Sequence, residues 1–163
     1  MIPFAYLLDW RDKAPWPELI QVEQDLILSR ILVAIYSNPF LNAELVFRGG
    51  TALHKLFISP PGRYSEDIDL VQRHAGPVGA IFTELRKVID PILGKPGWKL
   101  GQGRATLFYS FFSEENPDRK ARIKIEINTR EHYTFLGHHN IKHNVSSPWY
   151  SHGADISTYK LVR

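Results

Sequence analysis

Cysteine is absent from the 163 residues, which excludes disulfide frameworks, thiolate metal centres and every cysteine nucleophile at once. A reducing compartment suits such a chain. No apolar run approaches the roughly 18 residues of a membrane-spanning helix, and the start, Met1-Ile2-Pro3-Phe4-Ala5-Tyr6, lacks the basic opening and cleavage pattern of a secretory signal. The expectation is a cytoplasmic protein. A large excess of one charge is missing too: 20 Lys and Arg stand against 17 Asp and Glu, a net +3, which is no nucleic-acid footprint in itself. The sequence also lacks Gly-x-Ser-x-Gly, His-Glu-x-x-His and P-loop lysine motifs, leaving serine hydrolase, zincin and Walker-type chemistries without support.

What is present is an ordinary globular composition, 44% hydrophobic and 12% aromatic, enough for one core without staples. Leu19, Ile20, Val22, Leu26, Ile27, Ile31, Leu32 and Ile35 follow helical spacing, with Pro17 before them and Asn38-Pro39 beyond, so a long buried helix is expected over 16–36. Residues 44–48 read as a short strand running into Gly49-Gly50-Thr51, after which Ala52, Leu53, Leu56 and Phe57 resume a helical stripe. Further expectations are a strand over 65–71, a helix over 77–93 kinked or shortened by Pro91, and strands over 98–102, 106–112 and 121–128. Five of the 7 histidines fall in 129–153 among Gly, Asn, Ser and Pro, which suits loops and short strands. Asp155 reads as the N-cap of a terminal helix. Phe108, Tyr109, Phe111 and Phe112 read as core on both faces of a central strand, with base stacking as the alternative.

The chemistry concentrates in two segments. In Asp67-Ile68-Asp69-Leu70 the period of two sends both carboxylates to one face and both aliphatic side chains to the other. Like charges so close invite a hard divalent cation; a solvated strand edge is the bland alternative. Just upstream, a strand ending in Gly49-Gly50 and turning into a helix exposes N–H groups suited to phosphate oxygens. Thr51 can cap that helix or donate to a phosphate, and Arg63 lies where it can meet another anion. Together a phosphate cradle and a carboxylate pair describe a nucleoside triphosphate with its Mg²⁺. In Arg122-Ile123-Lys124-Ile125-Glu126-Ile127-Asn128 the isoleucines mark the buried face, leaving Glu126 either to complete a metal triad or to pair with charges across the sheet. His138, His139 and His143 do not read as a zinc helix, given Gly137, Asn140 and Asn144.

These segments, Gly49-Gly50-Thr51-Ala52-Leu53, Arg63 through Leu70, and Ile123 through Asn128, resemble the AbiEii/AbiGii toxin family of nucleotidyltransferases, in the DNA polymerase beta-like superfamily. The resemblance spans roughly residues 17–163. It implies an α/β (α+β) nucleotidyltransferase fold, a mixed sheet flanked by helices. It implies Asp67, Asp69 and Glu126 as catalytic acids, with Asp67 and Asp69 holding Mg²⁺ or Mn²⁺. Gly49, Gly50, Thr51, Arg63, Ser65 and Lys160 would bind nucleotide, Lys160-Leu161 matching a pair that steadies the triphosphate. The implied partners are a nucleoside triphosphate, an RNA or protein acceptor and a cognate antitoxin. Typical members continue into a helical region with a further acidic motif, so residues 1–163 are expected to be a single nucleotidyltransferase domain lacking that region. Two other readings stay open: an inactive nucleotide-binding or antitoxin-binding domain, and a metal-dependent phosphohydrolase.

Overall fold

The computed structural model describes residues 1–57, 64–131 and 137–159. Helix α1 (Phe4–Trp10) precedes the long α2 (Leu19–Ser37) and the short α3 (Pro39–Glu44). Strand β1 (Leu45–Arg48) runs into α4 (Gly49–Ala52), which continues as a π-helical turn over Leu53–Phe57. Then follow β2 (Asp67–Gln72), α5 (Gly79–Leu93), β3 (Gly97–Gly101), β4 (Arg104–Phe112), β5 (Lys120–Asn128), β6 (His138–Ser146) and β7 (Ser151–Tyr159).

The seven strands form one sheet in the order β3-β4-β5-β2-β1-β7-β6. Strands β2 and β5 pair in parallel, as do β1 and β7, and the other four pairings are antiparallel. The expected mixed sheet with helices is thus observed. Ile68 and Leu70 of β2, Ile123, Ile125 and Ile127 of β5, and Leu107, Tyr109 and Phe111 of β4 are buried on one face. The helices gather there, α2 against β5, β6 and β7 and α5 against β4. Helix α2 is buried nearly all round, as a helix enclosed by neighbours on several sides must be. A reciprocal capping box starts it, Gln21 accepting from the Glu18 N–H; Asn38 ends it and caps α3 by accepting from the Leu41 N–H at 3.1 Å.

Two departures from the sequence expectation have distinct physical causes, one-sided cover for the aromatic run and edge pairing for the terminal segment. Tyr109 and Phe111 enter the core, but Phe112 on the alternate face is 57% exposed, and Phe108 lies under the Arg122 guanidinium at 4.8 Å. The aromatic run is therefore core on one face only. The terminal helix expected from Asp155 is instead the strand β7. Its hydrogen bonds are claimed from outside: Asn42 donates to the Asp155 carbonyl at 2.8 Å, and Thr158 Oγ1 donates to the Phe47 carbonyl at 2.7 Å. A β1 edge left unpaired by β2 takes a strand in preference to a short isolated helix. Helix α5 keeps its register to Leu93, with Pro91 in its last turn.

Helix α2 also carries a buried hub. Asp25 accepts from the indole N–H of Trp10 (2.9 Å) and of Trp16 (3.2 Å), and pairs with Lys55 Nζ at 2.5 Å. This ties α1, α2 and the π-helical turn together, so the segment following the glycine pair is held from behind. His143 of β6 faces this hub. Burial, then the charge of Lys55, push its pKa down to about 4 against an opposing pull from Asp25. A depressed histidine contributes stability that is complete above its ordinary value of 6.5 and is lost as pH falls toward 4. The wild-type protein should lose up to ~3 kcal/mol of unfolding free energy across that window. In His143→Gln the loss should be visibly smaller, as urea unfolding at a series of pH values would show; an unchanged profile would remove His143 as its source.

Candidate active site

The open face of the sheet carries the polar half of every alternating strand. Register places Asp67 beside Lys124 and Asp69 beside Glu126 across β2 and β5, Arg48 beside Asp69 across β1 and β2, and Arg104 beside Asn128 across β4 and β5. Asp67, Asp69 and Glu126 are thereby neighbours on one face, as the alternation of β2 and β5 requires. Lys124 stands among them, its Nζ 3.3 Å from Glu126 and 3.9 Å from Asp67. Glu126 also meets Arg104 at 3.3 Å, so its charge is engaged in cross-strand pairs. The Asp69 carboxyl is pushed above the usual carboxylate range by desolvation, then by the charges of Glu126 and Asp67, against weaker opposing pulls from Lys124 and Arg48.

The glycine pair divides its labour. Gly49 has φ +88°, and a side-chain carbon there would lie 2.6 Å from Oδ2 of Asp69. Only glycine admits both the backbone conformation and the carboxylate. Gly50 has open space above it, and both are exposed. The helix they open is shorter than the sequence implies, one α-turn before the π-helical turn, so N–H exposure and not a long dipole is what this turn offers a phosphate. Thr51 is buried, its hydroxyl donating to the Asp67 carbonyl and sharing a hydrogen bond with the Ser65 hydroxyl. That couples the glycine turn to the start of the acidic strand. Arg63 and Lys160 lie outside the described residues.

Among the described residues no three acidic or histidine side chains close into a ready-made metal cage. The donor set, two exposed-face carboxylates with an electrostatic deficit of cations at Asp69, suits Mg²⁺, which binds through one or two carboxylates and completes its shell with water and substrate phosphates. His139 and His143 share a face of β6 but lie about 13 Å apart along an extended strand, too far for one ion.

Two polar depressions flank the carboxylates. One, of about 460 Å³, is lined by Tyr64, Asp67, Arg122 and Lys124; the other, of about 370 Å³, by Arg48, Asp69, Arg104, Glu126 and Arg130. Arg48 pairs with Glu131 at 2.7 Å. No motif in the sequence marks Lys124, Arg48, Arg104 or Arg130 as site residues. The alternation in 122–128 signalled that Lys124 shares the face of Glu126, but nothing local signals that Asp67 lies opposite.

A mixed sheet with helices on one side, a glycine turn packed on an Asp-x-Asp strand and a parallel neighbour bearing an acid define the nucleotidyltransferase class. The chain belongs to the family described as the nucleotidyl transferase AbiEii toxins of type IV toxin–antitoxin systems, whose sequence profile matches residues 30–163. Solved structures with the same fold include JHP933 from Helicobacter pylori, 16% identical, TM-score 0.57, covering 87% of this chain and 53% of that one. MenT4, a nucleotidyltransferase toxin from Mycobacterium tuberculosis, is 21% identical with TM-score 0.55, over 80% of this chain and 44% of that one. The chain thus spans about half the length of these structural relatives. No curated protein matches it significantly.

Two outcomes test this geometry. Gly49→Ala should destabilise the protein by roughly 1–3 kcal/mol through left-handed strain and collision with Asp69, whereas Gly50→Ala should stay within about 1 kcal/mol of wild type; equal effects in denaturant unfolding would contradict the division. For Asp69 the raised folded pKa means that ionisation opposes folding: stability is fully present below the ordinary value of 3.8 and is lost as pH rises through the folded pKa. Metal-free Asp69→Asn should therefore melt above wild type at neutral pH, with the gain vanishing in acid. A variant that melts lower at neutral pH would show the carboxylate to be structural.

Proposed function

We propose that this chain is the nucleotide-handling domain of a cytoplasmic nucleotidyltransferase toxin, transferring a nucleoside monophosphate from a triphosphate to a macromolecular acceptor under the control of a cognate antitoxin. The observation that carries the reading is Gly49 packed against Asp69: the phosphate-approachable turn and the carboxylate pair form one unit. Asp67 and Asp69 would hold Mg²⁺ or Mn²⁺, and the ion would neutralise phosphate charge and lower the pKa of the attacking hydroxyl. The exposed backbone of Gly49 and Gly50, with Ser65, faces the β- and γ-phosphates, while Thr51 keeps Ser65 and Asp67 in register with that turn. Arg63 and Lys160 remain proposed triphosphate contacts on the family resemblance, and Glu126 acts beside the pair through its salt bridges.

In the reaction, an acceptor hydroxyl oxygen forms a bond to the α-phosphorus as the bridging bond to the β-phosphate breaks. Pyrophosphate leaves, and the hydroxyl proton passes to a carboxylate oxygen or to solvent. No described helix is long and apolar enough to cross a membrane.

Calorimetry with a nucleoside triphosphate should show binding with Mg²⁺ and at least tenfold weaker binding with chelator. Asp67→Asn should abolish the metal-dependent part while the protein stays folded, since the Asp67 side chain is on the open face. Equal affinity with and without chelator would count decisively against the reading.

A further inference from the structure

On the helix-covered face the sheet ends in an apolar shelf that no described element covers. Strand β3 stands first in the sheet order, so β4 takes one of its edges and no described strand takes the other; all of β3 is exposed. Trp98 pairs with Leu107 and Leu100 with Ala105. Leu107 and Ala105 are buried, so Trp98 and Leu100 carry the core face past its last helix, at 64% and 56% exposure. Between them and α5 lies a groove of about 730 Å³, its helix side formed by Val78, Phe82 and Arg86. Single exposed apolar side chains are ordinary, but a contiguous apolar groove opening on an unpaired strand edge marks a docking surface. Lys99 belongs to the other face: it pairs with Thr106, which pairs with Glu126.

Charge decides what fits there. On α5 the charges are already matched, Arg86 with Asp90 at 3.0 Å and Lys87 with Glu84 at 2.9 Å. Along the strand they are not: Lys95 and Lys99 are exposed, and among the described residues neither has an ion-pair partner. A second copy of the chain fits poorly, because two β3 strands paired antiparallel about their centre set Lys99 opposite Lys99, and like charges directly opposed are destabilising. An incoming strand of alternating character fits on both faces, with apolar side chains beside Trp98 and Leu100 and an acid beside Lys99. Main-chain hydrogen bonds to the edge then supply affinity, and the alternate side chains select the partner.

We propose that the outer edge of β3, with the Trp98–Leu100 shelf and the groove against α5, is a docking site for an acidic polypeptide segment that adds to the sheet as an extended strand. Strands β4 and β5 stand between this edge and β2, and the groove is on the face opposite the carboxylates. Docking therefore leaves Asp67 and Asp69 open, and the proposal stands apart from the nucleotidyl-transfer reading.

The test measures fluorescence anisotropy of labelled nonapeptides: one alternating Glu and Val, one with Lys in place of every Glu, and one that keeps every Glu but has Pro in place of the two central Val residues. The Glu-Val peptide should bind about tenfold more tightly than either of the others, since proline preserves the charge but removes main-chain donors. Amide hydrogen exchange over 97–101 should slow in that complex. Trp98→Ser should weaken binding by about tenfold, and Lys99→Glu should turn the preference to the Lys-Val peptide. Both side chains are exposed, so circular dichroism and melting should match wild type; Leu100→Ser reads the same shelf if Trp98→Ser does not fold. Equal binding of the Glu-Val and proline peptides overturns strand addition, as does binding that leaves exchange over 97–101 unchanged. An unaltered preference in Lys99→Glu overturns the acidic occupant. Sedimentation showing a dimer that is lost in Trp98→Ser gives the face to a second copy and overturns the proposal as well.

Discussion

The period-two alternation of β2, set in the middle of a sheet covered by helices on one face, is the constraint on which the rest depends. Ile68 and Leu70 are fully or almost fully buried, which pins the register of the strand: a slip of one residue would carry two carboxylates into the core. The same burial forces Asp67 and Asp69 onto the open face. Replacing either isoleucine or leucine anchor by alanine would cost about 2–5 kcal/mol, comparable to much of a small domain's total stability, so the chemistry of the exposed face is held by the packing of the hidden one.

Concentrating acids on that face carries an electrostatic cost, and the fold answers it in two ways. Lys124 stands beside Asp67 and Glu126, and Arg104 meets Glu126 from the next strand. Asp69 is the exception. It sits against Gly49, desolvated and flanked by the other acids, so its charge is the least compensated of the three. The backbone around the site is secured from behind by Asp25, Lys55 and the two tryptophans. Thr51 completes the linkage by joining the glycine turn to the acidic strand through hydrogen bonds whose partners are both local to the site.

Much of this was legible in the chain itself. The helix expected over 16–36 is α2, the expected strands over 98–102, 106–112 and 121–128 are β3, β4 and β5 within one or two residues at each end, and the helix over 77–93 is α5. Each is written in the spacing of neighbouring side chains. The readings that failed were those that depend on distant partners. Asp155 begins no helix because Asn42, Thr158 and the open edge of β1 hold that segment extended, and Phe112 finds no core because no described helix covers its face.

The sequence by itself determined which side chains share a face: Asp67 with Asp69, Lys124 with Glu126, and the isoleucines opposite them, because pleating alternates along any strand whatever lies beside it. It also determined where the chain must turn through glycine. Only the tertiary structure decided that β5 lies parallel to β2 with Glu126 abreast of Asp69, that Gly49 rather than Gly50 makes room for the carboxylate, and that Arg104 and Arg130 border the same depression as Arg48. Strand order and register are chosen by hydrogen bonds and buried contacts between segments tens of residues apart, and no local pattern encodes those.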